Sequence, residues 1–226
     1  MNIVLITSGI IFSYLVGSFS SAVWLGRWFR RIDVREFGSK NAGTTNTIRV
    51  LGLKIGLFVF LIDVFKGWFA VFIGLLFFLP SAFAEYSDYF AIILSTAVML
   101  GHIFPLYTGF RGGKGVATAL GATIAIFPIT ALLALSVWTV VFLCTRYVSL
   151  ASISATICFP FFYVFCFNGG TSGFADGGGK SVVLLVFSIL VAIFIPVMHH
   201  KNIKRLLNGT ENRMSFKKKC PFQKPS

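Results

Sequence analysis

The chain has 226 residues, 56% of them hydrophobic and only 12% charged, whereas soluble domains are about a quarter charged. No polar stretch is long enough to enclose a core of its own, which excludes a soluble domain and indicates a single transmembrane domain over 1–226 with a basic tail from about 201. The net charge of +13 is the Lys and Arg excess that cytoplasmic loops of membrane proteins gather, and it does not call for nucleic acid as a partner.

Apolar runs fall at about 3–25, 55–79, 89–108, 116–144, 148–167 and 181–198, and a bilayer span takes ~20 such residues. The first run lacks the basic lead of a secretory signal and is too long for one, so it reads as a retained helix. Tyr14, Ser18 and Ser21 form a small polar stripe on it, as close helix contacts do. The loop 26–54 then carries Arg27, Arg30, Arg31, Arg35, Lys40, Arg49 and Lys54 against Asp33 and Glu36.

Within that loop, Gly38 to Arg49 sets Ser39, Asn41, Thr44, Thr45 and Asn46 around Gly38 and Gly43. Glycines let backbone N–H groups turn toward an anion, hydroxyls and amides add donors, and Arg49 offers a two-pronged partner for phosphate or carboxylate. The plainer alternative is a polar turn with Thr44 or Asn46 as a helix N-cap. In the next helix Asp63 and Lys66 stand at i, i+3, an ion pair suited to bracing the bundle at membrane depth.

The loop near 80–88 has Glu85 and Asp88 and no basic residue. After the third run comes Gly101-His102-Ile103-Phe104-Pro105, then Phe110-Arg111-Gly112-Gly113-Lys114-Gly115. Consecutive glycines, a lysine and a following helix N-terminus suit an anion. This is no nucleotide P-loop: the first glycine of that motif is missing and Gly115 stands where Ser or Thr would hold magnesium. A monophosphate fits better; a glycine hinge with a topogenic lysine is the alternative.

The run 116–144 is too long for one comfortable span and is interrupted at Phe127-Pro128, where proline removes a backbone donor. The piece before it spans only ~18 Å at 1.5 Å per residue. Ser149 and Ser152 open the next run, as caps or as further phosphate donors. The Gly-rich loop 168–180 carries only Lys180 and Asp176. After the last run, His199, Asn202 and Arg205 recur at one-turn spacing, with Glu211 beyond. Here His199 suits a proton carrier or phosphate donor, and a basic interfacial helix end is the alternative.

Cys144, Cys158 and Cys166 lie in apolar helices and Cys220 in the tail, so no disulfide framework, metal site or other cofactor is indicated. The basic loop 26–54 and the tail (Lys201, Lys204, Arg205, Arg213, Lys217, Lys218, Lys219 and Lys224) belong to the cytoplasm, and the two poorly basic loops belong outside. Splitting 116–144 satisfies the parity. The result is an all-α polytopic membrane protein of about seven helices, N-terminus outside and C-terminus cytoplasmic, with all three phosphate-suited segments on one side. No internal repeat is evident, and the charged motifs avoid the midplane, which disfavours a transporter for organic phosphate.

GSKNAGTTNTIR, the run from Gly101-His102 to Thr118, and the run from His199 to Glu211 together resemble the three signatures of the bacterial acyl-phosphate:glycerol-3-phosphate acyltransferase family, known as PlsY. The departures are Lys40 for Gly, Ala42 for Pro and Thr44 for Ala. The resemblance implies seven helices in the bacterial inner membrane and a site facing the cytoplasm. It implies transfer of a fatty acyl group from acyl phosphate to the 1-hydroxyl of glycerol 3-phosphate. Its catalytic residues carry over as Ser39, Arg49, Lys114, His199 and Asn202, with Asn41, Thr45, Asn46, Gly112, Gly113, Ser152 and Glu211 expected to support substrate or phosphate binding. Arg49 and Lys114 are expected to hold phosphate, and Ser39 and Asn202 to orient donor and acceptor. The proton goes to the donor phosphate or to His199. No acidic residue stands five places beyond any histidine, which argues against acyl-CoA or acyl-carrier protein as donor. The sequence leaves the oligomeric state open.

Overall fold

A computed structural model describes residues 2–168 and 182–214; all but the first residue of the loop 168–180 expected outside, Cys220, and the tail lysines from Lys217 onward lie outside the described residues. Among the described residues ten α-helices follow one another: α1 (Asn2–Ser18), α2 (Ser21–Arg30), α3 (Thr44–Leu51), α4 (Leu53–Phe78), α5 (Ser87–Ile103), α6 (Val116–Ile126), α7 (Pro128–Thr145), α8 (Val148–Asn168), α9 (Val182–Met198) and α10 (His200–Leu207). The chain is an all-helical membrane protein. Among the described residues, five stretches are long and apolar enough to cross a bilayer, and α9 with α10 makes a sixth if that bent pair counts as one span. The remaining apolar helix, α6, has 11 residues and at 1.5 Å per residue is about half the ~30 Å hydrocarbon thickness.

The division of 116–144 falls at the proline: α6 ends at Ile126 and Pro128 opens α7, where its missing N–H leaves no bond unmade. Two expectations of continuous helix are corrected. The first run breaks at Phe19–Ser20, because the Phe19 carbonyl turns to accept a hydrogen bond from Lys66 Nζ at 2.8 Å. The last run bends by 63° at His199, so that α10 leaves at an angle to α9.

Short residues set the spacing of the bundle. A Cβ at Gly67 would lie 2.1 Å from the Thr118 carbonyl oxygen, and one at Gly121 would lie 1.8 Å from that of Val64, so α4 and α6 touch backbone to backbone. This brings the short α6, and the Lys114 loop before it, against the middle helix of the protein. The main core gathers Leu94, Val98, Tyr163 and Ile195, with Phe127 edge-on to Tyr163 at 5.3 Å. A second cluster of Ala22, Val23, Val34, Ala42 and Val59 seats the first polar loop on α2 and α4.

Candidate active site

One cavity of about 830 Å³ takes its wall from all three polar segments. Ser39, Asn41, Thr45, Asn46, Arg49, Gly112, Gly113, Lys114, Ser152, His199, Asn202 and Glu211 all line it.

The first loop is folded by Asn46. From the first turns of α3 its Oδ1 accepts from the Ser39 backbone N–H at 2.8 Å, and its Nδ2 donates to the carbonyls of Val34 and Phe37 at 2.8 and 3.1 Å. The Asn46 amide, expected among the phosphate donors, is thus engaged in shaping the loop. Gly43, and neither Thr44 nor Asn46, is the N-cap of α3. The Thr44 hydroxyl at that helix start is buried without a hydrogen-bond partner, and Thr44 borders the cavity; it is one of the donors the loop's composition offers, though not among the residues carried over from the family. Lys40, one of the departures from the family pattern, sits at φ +58°, the left-handed region that the usual glycine enters freely. Arg49 is half-buried, and its Nη2 donates to the Asn212 carbonyl at 3.3 Å. Burial lowers its pKa and the Glu211 carboxylate opposes this.

The second loop is tied down at its backbone. Gly112 and Gly113 donate to the carbonyls of Ile103 and His102 at 3.0 and 3.2 Å. Arg35 Nη1 donates to the Thr108 and Arg111 carbonyls at 2.6 and 2.8 Å, while Asp33 grips the same guanidinium at 2.7 Å. The Arg35 hydrogen bonds hold Asp33 at a pKa of about 2. This staple joins the first loop to the second, although neither residue belongs to a phosphate motif. From the loop, Lys114 Nζ donates to Asn202 Oδ1. Burial lowers the Lys114 pKa to about 8, Glu211 opposing and Arg205 and Arg49 adding to the fall.

Glu211 is a hub whose carboxylate is engaged by three side chains. Its Oε1 accepts from Ser149 Oγ at 2.8 Å and from Asn202 Nδ2 at 2.6 Å, and its Oε2 from Arg205 Nε at 2.6 Å. Burial pushes its pKa up, but these bonds more than reverse the shift and leave it lowered. The carboxylate fixes which way the Asn202 amide faces, and so fixes the acceptor offered to Lys114. Ser149 is therefore spent on Glu211. Ser152 is spent as well, donating to the Val148 carbonyl at 2.9 Å and accepting from Trp138 Nε1 at 3.2 Å.

His199 is buried, with Nδ1 2.8 Å from the Ile195 carbonyl. A carbonyl only accepts, so Nδ1 carries the proton and Nε2 of the neutral ring keeps its lone pair. Much of the rest of the wall is apolar, with Leu57 and Phe60 from α4, Leu135, Trp138 and Phe142 from α7, and Phe159 from α8. The cavity thus joins cationic donors to a greasy trough, as an amphiphile with an anionic head requires. Among the described residues, no group of His, Cys, Asp and Glu is arranged to hold a metal.

The profile of the family described as "Glycerol-3-phosphate acyltransferase" matches residues 7–209. Proteins carrying that same description are similar over nearly their whole length. The one from Chlorobium luteolum is 40% identical, covering 91% of this chain and 95% of its own. That from Fusobacterium nucleatum is 39% identical, covering 92% and 97%. Among solved structures, crystal structures of PlsY, an integral membrane glycerol 3-phosphate acyltransferase, superimpose well. The glycerol 3-phosphate form gives a TM-score of 0.77 at 37% identity, over 93% of this chain and 96% of that one. The lysophosphatidic acid form gives 0.74 at 36% identity, with the same coverage.

Proposed function

The chain belongs to the glycerol-3-phosphate acyltransferase family, and we propose that its single transmembrane domain transfers a fatty acyl group from acyl phosphate to the 1-hydroxyl of glycerol 3-phosphate, giving lysophosphatidic acid and inorganic phosphate. The observation that carries this reading is the convergence of three cationic or amide-rich segments on one cavity that also has a broad apolar wall.

Arg49 and Lys114 hold phosphate groups, and the Ser39 hydroxyl and Asn202 amide orient donor and acceptor beside them. The glycerol oxygen attacks the acyl carbon, the bond from that carbon to the phosphate oxygen breaks, and phosphate departs with its electron pair. The hydroxyl proton goes to the departing phosphate, directly or through His199 Nε2. Acyl phosphate is a mixed anhydride and already activated, so positioning and charge stabilisation supply the catalysis. The acyl chain lies against Trp138, Phe142 and Phe159 of the apolar trough.

Because the basic segments meet in one cavity, they share one side of the membrane. The excess of Lys and Arg there supports a site facing the cytoplasm of a bacterial inner membrane, with the N-terminus outside. Purified protein in detergent, given palmitoyl phosphate and glycerol 3-phosphate, is expected to release phosphate. Lys114→Ala and Arg49→Ala should each lower kcat/KM by about 100-fold or more while the protein stays folded, as loss of a charged contact to the transition state does. Near-normal turnover in both variants would refute the assigned roles.

A further inference from the structure

The chemistry above leaves one buried polar cluster without a part. Asp63, Lys66 and His102 are each under a tenth exposed, packed between α4, α5 and the break between α1 and α2, and Asp63 and His102 border the same cavity as Lys114. Asp63 Oδ1 accepts from Ser21 Oγ at 2.8 Å and faces Lys66 Nζ at 2.9 Å. Lys66 Nζ also donates to the Phe19 carbonyl at 2.8 Å and stands 2.9 Å from His102 Nδ1.

An ammonium has three hydrogens and no lone pair. Its three neighbours are a carboxylate, a carbonyl and Nδ1, so Nδ1 is the acceptor and the ring proton sits on Nε2. Asp63 Oδ1, 3.7 Å from the same nitrogen, is beyond hydrogen-bond reach of it. The ring is therefore a neutral imidazole held in one tautomer and one orientation.

The opposite edge of this ring meets the second loop. A Cβ added at Gly113 would lie 2.2 Å from His102 Nε2 and 3.2 Å from its Cδ2. The Gly113 N–H already donates to the carbonyl of His102 itself, at 3.2 Å. The glycine backbone thus rests directly on the imidazole, with no room for a side chain between them, and the next residue is Lys114.

We propose that His102, oriented by Lys66 and Asp63, is a positioning residue that sets the height of the Gly112-Gly113-Lys114 turn and so the place where Lys114 meets phosphate. This rests on reading Lys114 as a phosphate ligand. The ring acts through its shape and tautomer, and transfers no proton in the reaction.

A double-mutant cycle tests it. In His102→Asn the amide oxygen takes the Nδ1 position, so Lys66 keeps its acceptor, but nothing reaches the underside of Gly113. This variant should keep a wild-type thermal midpoint and pH–rate profile, with KM for glycerol 3-phosphate and the inhibition constant of inorganic phosphate raised about tenfold and kcat little changed. Gly113→Ala alone should lose more, because its new methyl group strikes the ring. Introduced into His102→Asn it should lose about tenfold less than in the wild type, since contacting residues couple and the obstacle is gone. Losses that simply multiply, wild-type kinetics in His102→Asn, or the disappearance of a limb of its pH profile would each overturn the proposal. Should the wild type bind inorganic phosphate yet transfer no acyl group, the reading of function fails. The phosphate affinities of the four proteins then still decide the cycle.

Discussion

Lys114 carries a conditional charge. Burial lowers its pKa to about 8, and only the protonated form attracts a phosphate dianion. The sign follows directly. Below that value the ammonium is present and binding is full; as pH rises through it, the charged fraction of the free enzyme falls, and binding must take up a proton. The profile of kcat/KM for glycerol 3-phosphate should be level near pH 7, once the phosphate is a dianion, and fall above about pH 8 toward about tenfold per unit. Lys114→Arg should be slower at every pH yet level up to about pH 10, because a guanidinium stays charged. An alkaline fall at the same position in Lys114→Arg would assign the limb to another group. Arg49 gives no such limb: burial lowers its pKa, but from a starting value far above the working range.

Among the elements, the segment after α10 acts as a strap. It brings Glu211 onto Ser149 of α8 and onto Asn202 and Arg205 of α10, it lays the Asn212 carbonyl against Arg49, and it sets Arg213 over the Tyr147 ring at 5.3 Å. Glu211→Ala removes three acceptor contacts and leaves Arg205, which is partly solvated, without its carboxylate. The expected loss is about 1–3 kcal/mol of stability, seen as a lower thermal midpoint, together with lost activity because the Asn202 amide is no longer aimed at Lys114. Glu211→Gln should recover more of the midpoint than of the activity. The motif spacing showed that His199, Asn202, Arg205 and Glu211 belong together, but not that Ser149, 62 positions away, would hold the last of them. Local pattern was legible where local chemistry caused it: Pro128 announced the start of α7, and apolar runs announced α4, α5, α7 and α8. The break at Phe19 was not, because its cause is a lysine 47 positions away. The bend at His199 had a readable signal in Pro196, which removes a hydrogen bond one turn before it. Short α3 was legible only as a helix start near Thr44, because eight residues, half of them Thr or Asn at its beginning, make no apolar run.

At the scale of the whole molecule, the site depends on the shortness of α6, which is 11 residues long. Pressed onto α4 through Gly67 and Gly121, it starts at Gly115 and places its N-terminus, and Lys114 just before it, against Asn202 beyond α9. The charged segments can converge there only if all three approach from one aqueous compartment, since a charge is costly at the bilayer centre. In a background with the native cysteines replaced, single cysteines at the exposed positions Ser39 and Lys201 should react with an impermeant maleimide in inverted vesicles and stay protected in intact spheroplasts. The exposed position Glu85, between α4 and α5, should show the reverse. Because α4 alone separates Ser39 from Glu85, and the number of crossings from Glu85 to Lys201 is odd only if the short α6 counts as one, the three readings constrain one another. If Ser39 and Lys201 are labelled from opposite sides, no arrangement of the helices lets the two line one cavity. If all three are labelled from the same side, α4 fails to span, and its buried Asp63–Lys66 pair would have to be placed outside the membrane core.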